Sequence, residues 1–132
     1  MTNKVIVALD NKNLKQIITI VKKTKSEVFG FKIGKEFFYS YGIEGYKKIF
    51  KLSPKIFLDL KLHDIPNTVE KALKAIIKLR PLLTTIHITG GDEMQKASSK
   101  LKRNKTKILG VTVLTSLDTS QTKKYYNKKK HK

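Results

Sequence analysis

The stretch Ile56-Phe57-Leu58-Asp59-Leu60-Lys61-Leu62-His63-Asp64-Ile65-Pro66-Asn67-Thr68-Val69 runs from an apolar strand into the start of a helix, with ionisable groups where the two meet. Side chains alternate along a strand, so Phe57, Asp59 and Lys61 share one face, while Ile56, Leu58, Leu60 and Leu62 share the other. The second face is continuously aliphatic, as expected of a surface packed under a helix. The first carries an acid and a base close enough to pair. Burying such a pair is costly unless the groups satisfy one another, which makes Asp59 and Lys61 candidates for chemistry. The plainer alternative is a half-exposed strand with a wet, salt-bridged face.

On either side of this stretch, apolar β-branched runs alternate with helical periodicities. Strands are expected at residues 5–9, 28–33, 56–62, 84–88 and 107–114. Leu14, Ile17, Ile18 and Val21 follow the i, i+3, i+4, i+7 spacing of an amphipathic helix. A shorter helix is expected over 43–52, after Gly42. Val69, Ala72, Leu73, Ile76 and Ile77 form another stripe, with Pro66 near its start and Pro81 past its end. A weakly patterned, very basic helix is expected over 93–103. Such βα repetition implies an α/β fold with a parallel sheet. Five strands and about four helices are too few for a closed (β/α)8 TIM barrel, which takes at least about 200 residues. The expectation is therefore a partial barrel spanning residues 1–118, a truncated chain. A Lys-rich tail over 119–132, without apolar periodicity, is expected to be disordered.

The 132 residues contain no cysteine, which excludes disulfides and thiolate metal sites. No apolar run approaches the roughly 18 residues of a membrane span, and no signal-peptide pattern opens the chain, so a cytoplasmic location is expected. The net charge of +19 would suggest nucleic acid, yet 27 of the 29 basic residues are lysine. Bidentate reading of phosphate or guanine favours arginine. Nucleic-acid or anionic-surface binding through the tail thus stands as an alternative function only. His63, His87 and His131 show no metal-ligand spacing with Asp or Glu, so no metal is expected.

Asp59-x-Lys61-x-x-Asp64-Ile65-Pro66-Asn67-Thr68 closely resembles the signature of the orotidine 5′-phosphate decarboxylases. The Ile-Pro-Asn-Thr continuation separates it from other sugar-phosphate barrel decarboxylases, the nearest enzyme alternative. Val5 to Asp10, Phe31-Lys32-Ile33-Gly34, His87 to Gly91 and Val111 to Ser116 resemble further strands of that family, in order. The resemblance implies cofactor-free loss of CO2 from orotidine 5′-monophosphate in pyrimidine biosynthesis. It makes Lys61 the general acid, Asp59 the neighbour of the substrate carboxylate, and Lys32 the group that holds Asp59 and extends the charge array. Asp10 and Lys32 would contact ribose, and Thr115 the pyrimidine. Asp64, Ile65 and Thr68 would reach the partner's site in a homodimer. Two departures stand out. Lys35 follows Gly34 where the family more often has an uncharged residue, and the family's phosphate-gripping Gln and Gly-Arg pair have no counterpart here. The 132 residues alone are accordingly expected to be inactive.

Overall fold

Five short strands, each followed by a helix, lie side by side in the order in which the chain makes them. The computed structural model of the chain describes residues 4–10, 13–101 and 105–126. Strand β1 is Ile6–Ala8, β2 Gly30–Gly34, β3 Ile56–Leu62, β4 Leu83–His87 and β5 Lys107–Val111. All four neighbouring pairs are parallel, in the order β1-β2-β3-β4-β5. Helices α1 (Leu14–Thr24), α2 (Lys35–Leu52), α3 (Pro66–Lys78) and α4 (Asp92–Ser99) make the crossovers, and α5 (Thr119–Tyr126) follows β5. This is the partial (β/α)8 arrangement expected from the alternation of periods.

Local chemistry explains most of the boundaries. The Asn13 side chain accepts from the backbone N–H groups of Lys15, at 2.9 Å, and Gln16, and so caps α1. Pro66 opens α3, where its missing N–H costs no helical hydrogen bond. Helix α2 differs from expectation: it begins at Lys35, directly after β2, and kinks at Gly42, whose φ is 56°. Only glycine adopts that conformation readily. The sequence expectation thus captured the half after the kink and missed residues 35–41. Strand β5 stops at Val111, short of residue 114, and α4 stops at Ser99. The stretch expected to be a structureless tail holds α5, none of whose residues is buried; residues 127–132 lie outside the described residues.

The core forms where the aliphatic strand face meets the helices. Phe31, Ile33, Ile56, Leu58 and Leu60 pack with Ile17 and Val21 of α1 and Phe37, Tyr46 and Ile49 of α2. A second cluster joins Val69 and Leu73 of α3 to Ile86 and Met94. Tyr46 is buried to the hydroxyl, which donates to the Leu79 carbonyl at 3.2 Å. Burial pushes the Tyr46 phenol well above its usual range. No helix among the described residues is long and apolar enough to cross a membrane.

Truncating Ile49, which is 0 % exposed, should cost about 2–5 kcal/mol in chemical denaturation, through lost transfer energy and a cavity. Ile43→Ala on the same helix, at a residue 48 % exposed, should cost less than about 1 kcal/mol. Equal losses would mean that α2 does not face the sheet as described.

Candidate active site

The charged residues gather at the C-terminal ends of the strands, where parallel α/β folds carry their sites. Asp59 and Lys61 come from the last half of β3. The Lys61 Nζ lies 2.7 Å from Asp59 Oδ2. Asp59 is 8 % exposed, whereas Lys61 is half-buried and reaches the solvent side. The pair therefore sits at a boundary where charges attract more strongly than in bulk water, while the ammonium remains available to a ligand.

A third member of this group was not visible in the sequence. Thr85 of β4 is buried, and its hydroxyl donates to Asp59 Oδ1 at 2.9 Å. The Thr85 hydroxyl oxygen in turn accepts the backbone N–H of Lys61 at 2.8 Å. Both Asp59 oxygens are thus engaged, one by an ammonium and one by a hydroxyl. No motif flagged Thr85. The only available signal was a polar residue in an apolar strand beside the charged one.

Beside this group, Lys32 Nζ lies 3.4 Å from Asp10 Oδ1, across the ends of β2 and β1. Lys32 was expected to hold Asp59; its described ion pair is with Asp10 instead. The two pairs are nonetheless neighbours, because Gly34, at the end of β2, pairs in register with Asp59. The Lys32 ammonium and an Asp10 oxygen both lie about where a side chain on Gly34 would project, 3.6 and 3.5 Å from such a Cβ. Acid, base, acid and base thus line the mouth of β1, β2 and β3.

Lys61 also lines a cleft of about 400 Å³ with Lys35, Tyr39, His63, Asp64, Thr68 and His87. Asp64 is exposed, and its carboxylate accepts the N–H of Ile65 at 2.7 Å. Ile65 is 65 % exposed, an apolar side chain left in solvent beside the cleft residues Asp64 and Thr68. The His63 and His87 rings stand 5.2 Å apart. Desolvation first, then the nearby His63, Lys35 and Lys61, lower the His87 pKa below the ordinary imidazole value. Thr115 lies in the turn past β5, exposed. A larger cavity, about 480 Å³, lies between α4 and the outer strands β4 and β5, and none of these site residues lines it. Among the described residues, no group of three or more His, Cys, Asp or Glu is placed to hold a metal ion.

The chain resembles known proteins in the same terms. Residues 3–132 match the model of the orotidine 5′-phosphate decarboxylase / HUMPS family. The orotidine 5′-phosphate decarboxylase of Ehrlichia chaffeensis is 45 % identical over 123 residues, covering 92 % of this chain and 53 % of that protein. That of Sphingopyxis alaskensis is 43 % identical over 118 residues, covering 89 % and 53 %. The crystal structure of the Lactobacillus acidophilus decarboxylase superposes with a TM-score of 0.76 at 42 % identity, over 88 % of this chain and 55 % of that one. A Methanocaldococcus jannaschii decarboxylase in complex with the inhibitor BMP gives 0.72 at 28 % identity, over 82 % and 52 %. The chain spans about half the length of the curated relatives it matches. These likenesses do not favour the alternative of a basic binding protein. With the signature on β3, the parallel sheet and the matches all agreeing, the chain belongs to the orotidine 5′-phosphate decarboxylase / HUMPS family.

Proposed function

We propose that this chain carries the half of a decarboxylase site that acts on orotidine 5′-monophosphate, releasing CO2 and leaving UMP. The observation that carries the reading is the Lys61–Asp59 pair, held at 2.7 Å in a half-buried position on a family signature. In the proposed step, the bond from ring carbon 6 to the carboxylate breaks and its electron pair stays on carbon 6. The Lys61 ammonium stabilises that charge and delivers its proton there as general acid. Asp59 stands beside the departing carboxylate, where like charge disfavours the ground state. No cofactor takes part in this scheme.

Asp10 and Lys32, paired at the mouth of β1 and β2, bind the ribose hydroxyls, and Thr115 meets the pyrimidine edge. Asp64, Ile65 and Thr68 reach a neighbouring subunit's cleft, which makes the working form a homodimer. Their exposure, and that of the Ile65 side chain in particular, supports this assignment. The reaction needs a soluble nucleotide, and a cytoplasmic location belongs to the same proposal.

The test is a chimera in which the chain is continued by the remaining portion of the Ehrlichia chaffeensis enzyme. It should release UMP from orotidine 5′-monophosphate, and Lys61→Ala should lower kcat by at least about a hundredfold. Retention of more than a small fraction of the rate would remove Lys61 as proton donor. The 132 residues alone should show no measurable release.

Mixing Asp64→Asn with Lys61→Ala chimeras should restore part of the activity, because one site of each heterodimer then holds both intact groups. No recovery despite proven subunit exchange would refute the shared site.

The lowered His87 pKa has a consequence for stability. The unfolded chain takes up a proton on His87 near the ordinary value of about 6.5, while the folded chain resists it. Stability contributed by the neutral ring is therefore complete above that value and is lost as pH falls through the depressed folded pKa. Thermal melts from pH 7.5 to 5 should fall, and His87→Asn should make that fall shallower. An unchanged slope would mean that other groups carry the acid sensitivity.

A further inference from the structure

Strand β3 does not pair evenly with β4. Leu58 is opposite Thr84 and Leu62 is opposite Ile86. Three residues of β3, namely Asp59, Leu60 and Lys61, therefore face the single residue Thr85. The ladder is interrupted exactly where the charged pair sits. At the same point Lys61 has a φ of 48°, a region that side chains with a Cβ rarely adopt. A bulge of this kind re-aims a side chain but leaves backbone groups without ladder partners. A partly buried N–H cannot be left unpaired cheaply.

Thr85 meets both demands with one oxygen. A hydroxyl has one proton to give and can accept through its lone pairs. The Lys61 backbone N–H can only donate, so at 2.8 Å it takes an acceptor site on Thr85. The hydroxyl proton is then directed to Asp59 Oδ1, 2.9 Å away. With Lys61 Nζ on Oδ2, the carboxylate is held at both ends and cannot swivel away from the ammonium. Thr85 is 3 % exposed, so water does not replace it at this post.

We infer that Thr85 is a positioning residue for the Asp59–Lys61 pair: its hydroxyl ties the side chain of the acid to the backbone of the base and so sets where the Lys61 ammonium points. The positional claim stands on geometry alone, and its effect on turnover rests on the decarboxylase reading above. Valine would keep the shape of Thr85 and remove both hydrogen bonds. Serine would keep the hydroxyl and lose only a methyl group.

The measurement is the side-chain ammonium resonance of Lys61 in the ¹⁵N-labelled 132-residue chain, identified by its loss in Lys61→Arg. An ammonium held on a carboxylate exchanges slowly with water. Thr85→Val should speed that exchange by at least about tenfold, while backbone amide protection at Ile49 and Leu73 is unchanged. Thr85→Ser should stay within about twofold of the parent. A Thr85→Val chain that folds and keeps the slow signal overturns the inference. If Thr85→Val does not fold, Thr85→Ser decides alone: a slow signal supports the hydroxyl as the tie, and a fast one with the amides still protected overturns it. In the chimera, Thr85→Val should lower kcat about tenfold with KM within about twofold, as expected for a group acting on the reacting charge rather than on binding. A chimera without turnover whose Lys61 signal still depends on Thr85 would refute the decarboxylase reading alone. A working chimera whose Lys61 signal ignores Thr85 would refute this inference alone.

Discussion

A carboxylate taken out of water must have its oxygens occupied, and much of this structure can be understood as the means of occupying those of Asp59. Desolvating an ion is expensive, and the attraction of a partner repays the cost only with close geometry and further hydrogen bonds. Asp59 is nearly buried, with an ammonium on one oxygen and a hydroxyl on the other. The ammonium comes from two residues further along the same strand and the hydroxyl from the next strand. The spacing of the strand already puts the ammonium on the same face as the acid, and the bulge, which brings three residues of β3 against one of β4, sets the hydroxyl against both. The irregular register thus goes with the tie that Thr85 makes to the pair.

The remaining elements hold that strand still. Its aliphatic face locks into the helices through Ile56, Leu58 and Leu60. Gly34 of β2 pairs beside Asp59, with the Lys32–Asp10 pair alongside. The two His rings and Lys35 line the cleft that Lys61 enters. Burial, and after it the neighbouring His63, Lys35 and Lys61, disfavour protonation of His87.

How much of this was legible depended on whether one strand sufficed to carry the signal. The β3 pattern and the stripes of α1 and α3 are local periodicities, and they were legible in full. Asp59 and Lys61 share a face by spacing alone, and they do pair. Residues 35–41 were missed because Gly42 looks like a helix boundary, although the chain turns at it and continues as helix. Thr85 was missed for a deeper reason. Its importance comes from the register of β3 on β4, and register is not written in either strand by itself. The partner of Lys32 is likewise a matter of which strand ends meet, and it turned out to be Asp10. The end of β5 was overestimated because the apolar run through Val113 and Leu114 continues past the last paired residue, Val111.

The order of strands in the sheet also dictates the order in which the site can come into being. Every strand pairs only with those made just before and just after it. During synthesis, the Asp10–Lys32 pair can close as soon as β2 docks on β1. The acid and base of β3 arrive next, but Asp59 has one oxygen bare and Lys61 one N–H unpaired until β4 brings Thr85. For the interval in which some two dozen residues are added, at about 5–20 per second, Asp59 lies on the growing edge of the sheet, where water serves it in place of Thr85. Docking of β4 replaces that water with the Thr85 hydroxyl and sets the register of the two strands.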